Sequence, residues 1–206
     1  MGQRSRLSLE IDAEGLAALT AAGSRIVLAK PTGKGSPNLA WLTFEPRALR
    51  TVVWEDLYGV FASRAGVRVG ATIDVATCVF PAAERQVYTF DGARFAEARP
   101  ENRVPPGHYD VWNAGPSAST FGLMQSASID DATLSTPLNA IVLPADFTAD
   151  FTPDERVYVW AQPGVKTGAI IDTVPANAAL AVFDLRNRIR AYRYDVEASA
   201  FTPAVV

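Results

Sequence analysis

The sequence predicts an all-β fold made of two tandem antiparallel β-sandwich repeats with one short N-terminal helix, and three observations predict it. The stretch GVRVGATID, Gly66 to Asp74, recurs as GVKTGAIID, Gly164 to Asp172, with six of nine positions identical. Two further blocks recur in the same order: NLAWL from Asn38 as NAIVL from Asn139, and YTFD from Tyr88 as YRYD from Tyr192. Collinear matches at nearly constant displacement indicate internal duplication with small loop insertions. Short apolar runs separated by Gly, Pro and Asp fill most of the chain, as in an all-β domain.

This pattern divides the chain into repeat 1 over residues 1–98, a proline-rich linker over 99–108 and repeat 2 over 109–206. The linker follows from ARPENRVPPGH, which carries three prolines and almost no apolar side chain.

The elements follow in order. Leu7, Leu9 and Ile11 alternate with Ser8, Glu10 and Asp12, the period of a half-buried strand. Asp12 then caps an alanine-rich helix that Gly23 ends. RIVLAK is a buried strand and KPTGKGSPN a loop. LAWLTFE, RTVVWE and YGVFAS are strands, with breaks at Glu45-Pro46 and Glu55-Asp56. GATIDVATCVF is a long strand, and Gly70 and Gly168 mark equivalent bends in the two repeats. QVYTFDG, YDVWN, TFGLMQSAS, NAIVLP, RVYVWAQ, GAIIDTV, ALAVFD and IRAYRYD supply the rest, with a turn at Asp130-Asp131. The expected core includes Leu9, Ile11, Val27, Leu42, Val53, Phe61, Ile73, Val87, Leu143, Val159, Ile171 and Val182.

Composition narrows the function classes. With 206 residues and 49% hydrophobic content, the chain can bury a substantial core. A net charge of -3 without a long basic run disfavours nucleic acid as a partner. The most basic stretch, LRNRIRAYR, is expected to be a solvated hairpin. The N-terminus lacks the apolar run of a secretory signal, so cytoplasmic synthesis is expected, with signal-independent export left open. No apolar run approaches the length of a transmembrane segment.

The groups that carry common chemistries are sparse. One histidine, His108, and one cysteine, Cys78, leave no expected metal site, cofactor or disulfide. Cys78 is expected to be a small buried hydrophobe. KPTGKGS lacks the glycine spacing of a phosphate-binding loop, although Lys30 and Lys34 could touch an anionic ligand. The acidic pairs Glu55-Asp56, Asp130-Asp131 and Asp154-Glu155 are expected to close turns. The chain is therefore not expected to be an enzyme. A glycosidase is the least remote exception, and it would show two converging carboxyls over an aromatic floor.

Two aromatic patterns remain. In a strand, His108, Asp110 and Trp112 share one face while Tyr109, Val111 and Asn113 share the other. Trp112 beside His108 and Asp110 makes a platform for a sugar ring, with Asn113 close by. Aligning the repeats on Gly66 and Gly164 places Tyr158 and Trp160 where repeat 1 has Val60 and Ala62, which suggests an interface. The expected function is lectin-like binding of a carbohydrate or another cell-surface ligand, by a soluble protein that forms a homo-oligomer. The alternatives are a self-assembling protein that associates through sheet edges or an aromatic face, and a membrane-acting cytotoxin component.

Overall fold

The computed structural model describes residues 3–130 and 132–204. Asp131, one half of an expected turn, lies outside the described residues. In chain order the elements are β1 (Arg4–Glu10), α1 (Ala13–Ala21), β2 (Ser24–Ala29), β3 (Leu42–Phe44), β4 (Leu49–Ser63), β5 (Thr77–Val79), β6 (Gln86–Phe90), β7 (Arg99–Pro100), β8 (Tyr109–Asn113), β9 (Ser119–Ile129), β10 (Ala132–Pro137), β11 (Ile141–Leu143), β12 (Thr148–Phe151), β13 (Arg156–Pro163), β14 (Ala179–Val182), β15 (Ile189–Asp195) and β16 (Ala200–Pro203). The fold is all-β with one short helix. Asp12 caps that helix by accepting a bond from the Gly15 amide at 2.8 Å.

Among the described residues the strands form three sheets. The largest runs β10-β9-β4-β1-β15-β16, with β11 on β9 and β5 on β4. The two smaller sheets run β12-β8-β6-β7 and β14-β13-β2-β3. Leu7, Val52 and Leu123 of the large sheet share one core cluster with Ile26 and Val159 of one small sheet and Tyr88 and Val111 of the other. Both small sheets thus bury their apolar faces against the large one, in a sandwich-like arrangement.

Each sheet takes strands from both sides of residues 99–108. The expected separation into two self-contained sandwiches is therefore corrected: β4 pairs with β9, β1 with β15 and β2 with β13. Two of the pairings, β1 with β15 and β6 with β8, are parallel. The expected linker is itself packed, since Val104 is buried and β7 pairs with β6. Prolines and charges here reflect a segment that crosses a sheet edge while lacking the alternation of a long strand.

The repeated blocks lie side by side. Thr72 bridges Ala169, the Ile170 amide donates to the Ala71 carbonyl, and the Gly70 amide donates to the Ile170 carbonyl. Each block makes the same tight turn, Ala71 N to Arg68 O and Ala169 N to Lys166 O. Gly70 and Gly168 have φ of 79° and 77°, a backbone region that penalises a β-carbon. Outside these turns the long strand expected over GATIDVATCVF reduces to β5, and GAIIDTV contributes only bridges.

At Glu55-Asp56 the chain bulges without breaking. β4 is continuous over 15 residues, and its register with β9 shifts between Trp54 and Tyr58. The bulge turns Asp56 toward Arg188 and frees the Glu55 carbonyl for the Gln125 side chain. Most of the expected core is buried. Val53, Val87 and Val182 are not, and their neighbours Val52, Tyr88 and Ala181 take those places. A one-residue error of phase moves a side chain to the opposite face of a strand.

Candidate functional site

The candidate site lies on the outer face of the sheet β12-β8-β6-β7. In β8, Tyr109, Val111 and Asn113 point into the core, while Asp110 and Trp112 face outward. Pairing fixes their neighbours. Trp112 lies opposite Thr148 of β12 and Thr89 of β6, which gives a row Thr148–Trp112–Thr89. Asp110 lies opposite Asp150 and Val87, and Val87 opposite Arg99, which gives a second row Asp150–Asp110–Val87–Arg99. Val87, Thr89, Asp110, Trp112 and Thr148 line a groove of about 1210 Å3 together with residues between Ala96 and Arg103.

The electrostatics of the groove follow from this arrangement. Burial holds the Asp110 carboxyl above its usual range, and the Asp150 charge adds to the effect against the pull of His108 and Arg103. Like charges directly opposite on neighbouring strands are unfavourable. His108 lies next to both: its Nδ1 is 2.8 Å from Asp150 Oδ2 and 3.2 Å from Thr152 Oγ1. Arg103 pairs with Glu101 at 3.4 Å on the rim.

The structure brings Asp110 and Trp112 together in the groove, whereas His108 lines a different cleft with Gly33, Lys34, Thr152 and Arg156. Asn113 is not part of the groove. Its side chain is fully buried on the opposite face, where Nδ2 donates to the carbonyls of Ser117, Leu143 and Pro144 and Oδ1 accepts from the Gly115 amide. Trp160 is also internal, 1% exposed, in a cluster with Val27, Ala40 and Ile171 against which Tyr158 packs. The bulky face of β13 is thus covered within the chain. Thr89, Thr148, Val87 and the arginines of 99–103 were missed, because only strand pairing places them beside Trp112.

Other expected sites change character. Lys30 is buried and bonded to Gln125, so it is withdrawn from any surface anion. Cys78 is exposed, in the short strand β5 where it lies opposite Phe61 of β4. Arg188 of the basic stretch is not solvated; it joins Asp56 at 2.8 Å and Glu155 at 3.2 Å. A smaller cleft of about 320 Å3 lies on the large sheet beside Ser126 and Ser128. Those hydroxyls already pair with Ser135 and Thr133, which leaves less to offer a ligand.

Among the described residues, no group of three or more His, Cys, Asp or Glu is placed to hold a metal ion. Among the same residues, no helix is long and apolar enough to cross a membrane. The chain matches no family model, no curated protein and no solved structure.

Proposed function

We propose that this protein is a non-catalytic binding protein whose groove takes a carbohydrate, with Trp112 as the stacking platform. The observation that carries the reading is the placement of its tryptophans. Trp41, Trp54 and Trp160 are 0%, 3% and 1% exposed, whereas Trp112 is 39% exposed between two threonines at the floor of a groove. An indole left partly wet forgoes a large burial energy, and an apolar plate edged by hydroxyls and carboxylates suits the face and rim of a pyranose. Asp110, Thr89, Thr148 and Arg99 supply acceptors and donors around the ring.

A glycan-array screen of the parent and of Trp112→Ala tests the proposal. Binding that falls about tenfold or more in the variant supports it, the usual scale for loss of an aromatic contact. Binding that survives the substitution removes Trp112 from the site, and the absence of any glycan signal ends the reading. Sugar products that form on incubation, and vanish in Asp110→Asn, would instead make the Asp110–Asp150 pair a hydrolytic one.

Association of copies is a second reading, favoured by the exposed Leu180 and Val182 of β14 and Leu185 just beyond it. It relies on their side chains more than on strand addition, because the Leu180 and Val182 carbonyls are already occupied by Tyr192 Oη and Arg190 Nε. Light scattering across a concentration series, with Leu185→Arg as the control, tests it: a monomer at all concentrations rejects the reading.

A further inference from the structure

The interior holds a nucleophile that the groove does not use. Lys30 follows β2 directly and is 2% exposed. Its Nζ lies 2.8 Å from Gln125 Oε1 and sits 5.2, 5.3 and 5.7 Å from the ring centroids of Trp41, Trp54 and Tyr58. Gln125 is fully buried on β9, and its amide nitrogen donates to the Glu55 carbonyl at 2.8 Å, which fixes the orientation of the carboxamide. The bulge in β4 makes that carbonyl available. An amine and a carboxamide are thereby held in contact, with water excluded by three aromatic rings.

We propose that Lys30 and Gln125 join in an intramolecular isopeptide bond. The lone pair of the neutral amine attacks Gln125 Cδ, and a bond forms between Nζ and Cδ. The bond between Cδ and Nε2 breaks, one proton passes from Nζ to the departing nitrogen, and ammonia leaves. No oxidant, reductant or cofactor enters the balance. The acidic groups whose charges reach Nζ are Asp56, Glu155 and Asp154; Arg188, which ties Asp56 to Glu155, acts against them. Holding both reactants in one orientation replaces a bimolecular encounter, the main obstacle to amide exchange in water.

The aromatic rings and the desolvation act in sequence. Protonated, the side chain rests as a cation against the ring faces. Burial pulls its pKa down to about 8, so mildly alkaline conditions release the neutral amine needed for attack. The product ties the end of β2 to β9 across 95 residues of chain, and so links a small sheet to the large one.

Intact mass and peptide mapping of the unmodified chain, incubated on either side of pH 8, test the proposal. The expected result is a species lighter by one ammonia, with the Lys30 and Gln125 peptides joined, that forms faster above pH 8. It should be absent from Lys30→Arg and Gln125→Ala. A folded parent protein that keeps its full mass at alkaline pH overturns the proposal, whether or not the variants fold. Loss of ammonia that maps to an asparagine, or to any other pair, overturns it as well.

Discussion

Two regions of the molecule set an ionisable side chain beside tryptophan, and they do so to opposite ends. Around Lys30, the rings of Trp41, Trp54 and Tyr58 and the Gln125 carboxamide surround the amine on the inside of the sandwich. Around Asp110, the groove leaves one carboxyl and the Trp112 ring open, with Asp150 opposite and hydroxyls on both sides. In the first region the protein satisfies its own polar atoms. In the second it leaves like charges facing each other and an aromatic surface bare, which lowers stability and keeps contacts free for a ligand. Local chemistry alone does not separate recognition from architecture; the difference lies in whether the chain itself fills the site.

The largest effect that sharpens this contrast is expected at Asn113, the inward neighbour of Trp112. Asn113→Ala leaves three carbonyls without their donor, of which the Leu143 bond is buried and those to Ser117 and Pro144 are part-buried, and should cost about 2 kcal/mol in urea unfolding. A loss well under 1 kcal/mol would mean that the division between the two faces of β8 is mistaken.

Lys30 comes next. Its proton is held less firmly in the folded chain, at about 8 against 10.5 for the ordinary side chain, so the cost of burying the charge is complete below pH 8. That cost is relieved as pH rises from 8 toward 10.5. A chain with free Lys30 should therefore gain up to about 3 kcal/mol over this interval relative to Lys30→Met. A cross-linked chain should gain nothing, because the amide no longer titrates. Parallel curves for the parent and Lys30→Met in an uncross-linked sample would show that burial does not weaken the amine.

Asp110 should move in the opposite sense. Its carboxyl binds a proton more readily when folded, so its contribution is favourable at low pH and is lost as pH rises through the ordinary carboxylate range and beyond. Asp110→Asn removes one of two facing charges and should raise stability at neutral pH by about 0.5 kcal/mol while weakening ligand binding. A destabilised variant would place Asp110 with the structural groups. The smallest effect is expected for Trp112→Ala, whose unfolding free energy should change by no more than about 0.5 kcal/mol, as for an exposed site. A larger shift would make the platform part of the core.

Much of this was legible in the chain. The all-β class, the short helix with Asp12 as its cap, and the bends at Gly70 and Gly168 follow from periodicity, capping and glycine placement, which are local properties. So does the alternation of β8 that sets Asp110 and Trp112 on one face and Asn113 on the other, although Asn113 was still expected beside the platform. What surrounds those side chains was decided by the tertiary structure. Strand pairing set Thr89 and Thr148 beside Trp112 and Asp150 opposite Asp110, and it brought Gln125 to Lys30 across 95 residues. It also mixed the two halves in every sheet and moved Val53, Val87 and Val182 out of the core. The physical reason is that side-chain period and backbone bends are written along the chain, whereas register and sheet order depend on which distant segments bury their apolar faces together.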